Sequence, residues 1–233
     1  MLRFALLATA FAAFAMPALA EDMKPLRSIS IAGHGEVRAR PDLAIVTIGV
    51  LRTAETARAA LDANNAAMAE IMAALKSAGI EASDIQTTNF SVNPRYNYGA
   101  SGNEPPKVGG YDVANNVTIT VRKLETLGAV LDQAVSTGSN QINGVMFSFA
   151  KPQPMQDEAR KLALADARRK AELYLAAAGA SLGQVITISE GGAYQPPTPL
   201  MTQAQAADGA GSVPVAEGEQ AVAADVNIVW EIK

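Results

Sequence analysis

Cysteine is absent from the 233-residue chain, and histidine occurs once, as His34. The absence of cysteine excludes disulfides, thiol nucleophiles and thiolate metal sites. A single histidine excludes a zinc site with several imidazoles in one chain, and it excludes a Ser-His-Asp triad unless His34 serves in it. We therefore assign no cofactor, metal or catalytic residue, and we expect a hydrophobic core to hold the fold without covalent links.

Long apolar runs are also absent, except at the start of the chain. Arg3 precedes an apolar run over residues 4–16, and the small-x-small sequence Ala-Leu-Ala ends at Ala20. The run is shorter than the roughly 20 residues that a membrane span needs. These features predict a signal peptide over residues 1–20, cleaved before Glu21, and a periplasmic mature protein. No later stretch is long and apolar enough to predict a transmembrane helix.

Basic residues are outnumbered by acidic ones, and the formal net charge is -4. Removal of the signal peptide takes Arg3 away and makes the mature chain one unit more negative. A general nucleic-acid binder needs a basic surface that displaces counterions. We therefore expect no nucleic-acid partner.

The periodicity of apolar residues changes several times along the chain, which predicts alternating strands and helices. Strands are predicted around residues 28–37, 44–50, 85–92, 113–121, 145–149, 185–189 and 222–232. Three helices are predicted between them, each closed by a glycine: Gly79, Gly138 and Gly179. The resulting order, ββαββαβαββ, indicates one α+β domain over residues 21–233, with about three helices packed on a mostly antiparallel sheet.

Each predicted helix carries an apolar stripe that we expect to face the core. The stripes comprise Ala57, Leu61, Met68, Ile71, Met72 and Leu75 in the first helix; Leu124, Leu127, Leu131, Ala134 and Val135 in the second; and Leu164, Ala167, Ala171, Tyr174, Leu175 and Ala178 in the third. In the last strand, alternate residues from Val222 to Ile232 form one apolar face.

Two long segments have turn-rich composition and are predicted to be loops. Residues 93–110 contain Tyr96 and Tyr98, and Tyr111 follows directly. Residues 191–218 are rich in Pro, Gln, Ala and Gly, and two interpretations remain open for them: a mobile surface loop, or a loop that orders against a neighbouring subunit. The three tyrosines are the candidate binding residues, because tyrosine combines broad apolar area with a polar tip and is favoured where surfaces meet.

Other reactive side chains have simpler explanations. His34 lies between two glycines on the first strand, where a hydrogen-bonded structural role is favoured over a proton acceptor or metal ligand. Asp42, Asp84 and Asp112 stand near strand starts, which indicates turns and caps rather than paired acid-base groups. Ser181 matches the letters of a GxSxG nucleophile elbow, but a helix precedes it and a strand follows, the reverse of that motif. We interpret the basic run 168–170 as a set of ion pairs along a helix.

Four segments together resemble the SIMPL-domain family of bacterial envelope proteins: GHGEVRARPDLAIVTIGV (33–50), GIEASDIQTTNFSVNPRY (79–96), GYDVANNVTITVRKLETLGAVLDQAVSTGSNQINGVMFSF (110–149) and ALADARRKAELYLAAAGASLGQV (163–185). That family includes a periplasmic immunogenic protein and relatives described as oxidative-stress defence proteins. The resemblance covers nearly all of the mature chain. It implies an α+β domain, an exported protein and a tendency to form large homo-oligomers, and it implies no catalytic residues.

Three functions follow from these observations. The first is a non-enzymatic envelope protein that self-assembles and has a role in envelope or oxidative-stress protection. The second is a periplasmic module that binds a small ligand or polypeptide through Tyr96 and Tyr98. The third, ranked last, is a hydrolase that uses carboxylates and water.

Overall fold

The structure, a computed structural model, describes residues 27–98, 105–191, 198–200, 213 and 215–233. The predicted signal peptide and its cleavage site between Ala20 and Glu21 lie outside these residues. The elements are β1 (Ser28–Ala39), β2 (Leu43–Ala54), α1 (Ala57–Ser77), β3 (Ile85–Asn97), β4 (Lys107–Val121), α2 (Leu127–Ser136), β5 (Gln141–Ser148), α3 (Gln153–Ala177), β6 (Leu182–Gly191), β7 (Thr198–Leu200) and β8 (Glu219–Ile232).

The predicted α+β class is confirmed, but the strands form two antiparallel sheets instead of one. The central sheet has the order β3-β4-β2-β5, and the terminal sheet has the order β1-β8-β6 with β7 beside the start of β8. The short turn at residues 40–42 separates β1 from β2, which then pair with different partners. The short strand β7 lies within predicted loop 191–218, and most of that loop is outside the described residues.

The central sheet carries the larger core. Alternate residues of β2 and β4 are buried against α1 and α2, and the core includes Ile48, Ile71, Ile119 and Leu127. The helix stripe was predicted correctly for Met68, Ile71 and Leu75. Asn64 was not predicted to be buried, yet its side-chain amide is fully enclosed and donates to the carbonyls of Val50 and Val113.

The terminal sheet packs on α3 through unusually small side chains. The buried face of α3 consists of Ala159, Ala163, Ala167, Ala171 and Leu175. The prediction that Leu164 and Tyr174 face the core was wrong, since both are exposed. Small side chains are required in the middle of this face, because the helix backbone at Ala159 and Ala163 lies directly against Gly35 and Gly33 of β1. The alternation predicted for β8 is confirmed by buried Val226, Ile228 and Trp230.

The prediction that residues 93–110 form a loop was wrong at both ends of the segment. Strand β3 continues to Asn97 and β4 begins at Lys107, so residues 93–97 and 107–110 belong to a two-stranded hairpin. Tyrosine and valine favour extended backbone on a half-exposed sheet, and they outweigh the local turn residues. Pro94 is tolerated because β3 lies at the edge of the central sheet.

Candidate functional site

The β3–β4 hairpin extends beyond the rest of the central sheet. Strand β2 ends at Ala54, opposite Tyr111 of β4. The residues of β4 before Tyr111 therefore pair only with the last residues of β3. This geometry produces a narrow arm with the tyrosines on it.

Alternation along β3 brings its apolar residues to one face. Val92 lies opposite buried Val113, so Val92 is on the face that α1 covers over β2 and β4. By alternation within the strand, Phe90, Pro94 and Tyr96 share that face. We call these four residues, together with Tyr98 directly after the end of β3, the β3 stripe: Phe90, Val92, Pro94, Tyr96 and Tyr98.

The β3 stripe is exposed because β3 lies beyond the part of the sheet that α1 covers. Tyr98 is 77% exposed, Phe90 is 52% exposed, and Val92 and Tyr96 are also exposed. Val108 of β4 is exposed beside Tyr96. The stripe forms a continuous apolar band on an otherwise polar hairpin.

The register places two of the predicted tyrosines, Tyr96 and Tyr111, on this face of the hairpin, and Tyr98 follows the end of β3. Tyr111 is half-buried and lies opposite Pro94, whereas Tyr96 and Tyr98 are farther out on the arm. Phe90 and Val92 were not singled out from the sequence. Their two-residue spacing with Tyr96 and Tyr98 was visible there, but the assumption of a loop after residue 93 concealed it.

The opposite face of the hairpin is polar and internally paired. Asp112 accepts a hydrogen bond from the Thr53 hydroxyl at 2.6 Å, and Arg95 lies 3.8 Å from the same carboxylate. Hydroxyl contacts join Thr47 to Thr118 and Thr118 to Thr88. The exposed apolar side chains of the arm are therefore on the face of the β3 stripe, together with Val108 beside Tyr96.

The three aspartates considered from the sequence each serve a different local contact. Asp42 accepts the backbone N–H of Ala150 at 2.7 Å, which stabilises a turn. The Asp84 side chain is 7% exposed and accepts two hydrogen bonds from the Arg122 guanidinium, at 2.8 and 2.7 Å. These hydrogen bonds, followed by the charge of Arg122, lower the pKa of Asp84. Asp112 on the hairpin accepts a hydrogen bond from Thr53 and lies beside Arg95.

His34 is a hydrogen-bonded residue on an open sheet face. Its Nδ1 lies 2.8 Å from a carboxylate oxygen of Asp225 on the neighbouring strand, and its Nε2 lies 4.0 Å from Glu36. Both His34 and Asp225 are more than half exposed. Within the described ranges, no group of three or more His, Asp or Glu side chains is arranged to hold a metal ion.

The remaining two motifs have the local roles that the sequence indicated. Ser181 lies in the turn between α3 and β6, where its N–H donates to the carbonyl of Lys233. The basic run pairs along α3: Arg168 with Glu172, and Arg169 and Lys170 with Asp166.

Two open clefts lie near the C-terminal end of α1. The larger, of about 430 Å³, is lined by Ala74, Ser77, Ala78, Thr126, Ala129, Val130 and Gln133. The smaller, of about 270 Å³, contains the Asp84–Arg122 pair together with Glu81 and Lys123. The larger cleft has no titratable lining residue. In the smaller cleft, the carboxylate of Asp84 is paired with the guanidinium of Arg122.

The SIMPL family model, described as a protein of unknown function (DUF541), matches residues 29–230. The chain belongs to the SIMPL family. This confirms the resemblance stated from the sequence, and the matched range includes both sheets and all three helices.

Named relatives of this SIMPL chain are envelope or uncharacterised proteins. It is 40% identical to the 26 kDa periplasmic immunogenic protein of Brucella melitensis, over 95% of this chain and 92% of the relative. It is 29% identical to the uncharacterized protein YggE of Escherichia coli K12, over 82% of this chain and 76% of the relative. In the described part of the SIMPL chain, no helix is both long and apolar enough to cross a membrane.

Proposed function

We propose that this protein is exported to the periplasm and acts there as a self-assembling, non-enzymatic envelope protein. The observation that carries self-assembly is the exposed β3 stripe, since apolar patches beyond a few hundred Å² mark interaction surfaces. Export is supported by the predicted signal peptide and by the Brucella relatives, whose names describe them as periplasmic.

A non-enzymatic role is supported by how the reactive side chains are used. Asp42, Asp84 and Asp112 each contact a different structural partner. His34 and Asp225 do meet, but they do so on an exposed sheet face and not in a cleft. The larger cleft near α1 has no titratable lining residue, and in the smaller one the carboxylate of Asp84 is held by the guanidinium of Arg122.

Light scattering on the mature protein tests self-assembly directly. We expect a mass of several subunits at micromolar concentration, with a monomer appearing only on dilution. A strict monomer across the micromolar range contradicts the proposal. The control is to add salt, which screens and weakens exposed ion pairs. An oligomer held by an apolar interface should keep its mass when salt is added.

We further propose a protective role under envelope or oxidative stress, exerted without thiol chemistry. Met146 is 59% exposed on β5, whereas Met68 is in the core and Met72 packs against it. A strain lacking the protein should be more sensitive to peroxide, and Met146→Leu should restore resistance fully if assembly is what protects. If the Met146→Leu variant does not restore peroxide resistance, the result indicates that the Met146 thioether scavenges the oxidant.

The second candidate function is a binding module that holds a small ligand or polypeptide on the arm. It is favoured by the exposure of Tyr96 and Tyr98, whose rings offer apolar area and hydroxyl groups. A bound component of an envelope extract should raise the melting temperature, and Tyr96→Ala with Tyr98→Ala should abolish the rise. Unchanged oligomer size in that double variant supports binding over assembly at these residues.

A further inference from the structure

We infer that the β3 stripe meets the β3 stripe of a second copy of this chain, in a two-fold contact centred on Pro94. This inference rests on the proposed self-assembly and assigns the surface that performs it. It concerns side-chain packing between sheet faces and not the addition of strands at an edge.

The edge of β3 is poorly suited to strand addition. Pro94 has no N–H to donate, so it interrupts the row of edge hydrogen bonds. The ladder between β3 and β4 is also irregular at two places, between Thr87 and Asn89 and between Arg95 and Tyr96. Bulges and prolines of this kind protect edges from pairing. The face of the strand, in contrast, has no such obstruction.

The order of residues along the stripe is self-complementary. In a two-fold contact every residue meets the one at the mirrored position. With Pro94 at the axis, Phe90 faces the second copy's Tyr98, and Val92 faces its Tyr96. Aromatic rings therefore meet at both ends, with the smaller Val92 nearer the centre. Aromatic pairs of this kind contribute beyond the area they bury.

Charge favours a second copy over an unrelated partner. A charged patch repels an identical patch in a two-fold contact, whereas the β3 stripe has no ionisable group apart from its tyrosine hydroxyls. Arg95 is on the opposite face of the strand and lies beside Asp112. Two identical copies of the stripe can thus approach each other without like-charge repulsion.

The area is sufficient for a specific contact. Taking about 200 Å² for each aromatic side chain, the stripe together with Val108 exposes roughly 500 Å². Two copies then bury roughly 1,000 Å², which is at the lower limit for a specific interface. This size is consistent with a contact that needs the rest of the assembly for full strength.

A charge-exchange experiment tests the predicted register. Phe90→Lys and Tyr98→Glu should each weaken subunit association by roughly tenfold or more, as measured by light scattering over a dilution series. The double variant should recover most of the association, because lysine and glutamate then face each other across the interface. Positions 90 and 98 are about 26 Å apart along one strand, so the two cannot pair within a subunit.

Asn93→Lys provides the matched control, because Asn93 lies on the opposite face of the same strand and is also exposed. It should leave association unchanged. Circular dichroism confirms that each variant is folded. If wild type is an oligomer and the stripe variants associate as strongly as wild type, the inference is overturned while self-assembly stands. If wild type is a monomer, the two-fold contact and the proposed self-assembly are both contradicted.

Cross-linking gives an independent measurement that avoids charged substitutions. Because the chain has no cysteine, a single introduced thiol can react only between subunits. Pro94→Cys should yield a covalent dimer with a short bis-maleimide linker, and Asn93→Cys should not. Equal yields from the two variants, or a higher yield from Asn93→Cys, contradict the two-fold contact.

Discussion

At the scale of single residues, Gly33 and Gly35 allow the close contact between β1 and α3. A Cβ atom built on Gly33 would lie 2.7 Å from the Cβ of Ala167, and it would be closer still to the carbonyl oxygen of Ala163. A Cβ on Gly35 would clash with the helix backbone at Ala159. The glycines flanking His34 are therefore explained by packing, which agrees with the close backbone approach that such residues indicate.

Gly33→Ala should lower the free energy of unfolding by about 2 kcal/mol, because the added methyl must push α3 away from the sheet. Urea denaturation followed by tryptophan fluorescence measures this loss. The matched control is Ala32→Ser, since Ala32 lies on the exposed face of β1 and has room for a hydroxyl. Equal stability of Gly33→Ala and wild type contradicts the close packing described here.

The Asp84–Arg122 pair predicts a pH dependence of stability. The pKa of Asp84 in the folded protein is lowered from its ordinary value of 3.8, so its contribution is complete at neutral pH and is lost as pH falls below about 4. Asp84→Asn should therefore destabilise the protein at pH 7, and the difference from wild type should shrink towards pH 3. Asp62→Asn, which alters an exposed helix pair, is the control and should show little effect. A difference that stays constant with pH would count against this assignment.

At the scale of elements, α3 shields the free edge of β1. The N–H of His34 donates to Asp166 at 3.1 Å, and Lys170 donates to the carbonyl of Ala32 at 3.2 Å. Hydrogen bonds from Lys170, His34 and Arg169 hold the pKa of Asp166 well below its usual range. A helix thus satisfies edge groups that would otherwise pair with another chain.

Removal of this shield should expose the edge of β1. The double variant Asp166→Ala with Lys170→Ala should aggregate faster than wild type at neutral pH, as followed by turbidity and thioflavin fluorescence. The matched control removes another ion pair of the same helix, Arg168→Ala with Glu172→Ala, whose exposed side chains pair with each other. If both double variants aggregate equally, the effect comes from the loss of charge on the helix. It does not then come from the loss of the contacts that Asp166 and Lys170 make with β1.

At the scale of the whole molecule, the fold consists of two sheets with separate cores. Large side chains fill the core of the central sheet, whereas alanines form much of the core between the terminal sheet and α3. Less apolar area is therefore buried per residue in the terminal half, so its stabilisation by the hydrophobic effect is smaller. Among the contacts that join the halves, the Gln220 side chain of β8 donates to the carbonyl of Phe147 on β5 at 2.8 Å.

The only tryptophan, Trp230, is buried in the smaller core and reports on it. We expect the fluorescence transition to have its midpoint at a lower urea concentration than the far-ultraviolet circular dichroism transition. The circular dichroism signal is dominated by the remaining helices and strands. Coincident transitions would indicate that the halves unfold as one cooperative unit. Gly33→Ala should widen the separation of the two transitions, since it weakens only the terminal half.

Local patterns were sufficient to predict most elements. Apolar periodicity and the closing glycines identified three helices and the alternating face of β8, because these signals depend on neighbours within one element. Gly79, Gly138 and Gly179 all have positive φ, as expected for residues that end helices. The ion pairs of residues 168–170 also follow from helical spacing alone.

Contacts between distant elements decided the rest. Leu164 and Tyr174 are exposed, and alanines are buried in their place, because the glycines of β1 bring the strand directly against α3. The division into two sheets depends on which strand each neighbour pairs with. The β3 stripe is exposed because α1 lies over β2 and β4, whereas β3 packs against that core at its start, through Ile85. A sequence records what a residue prefers along its own element, whereas burial depends on which other element occupies the adjacent space.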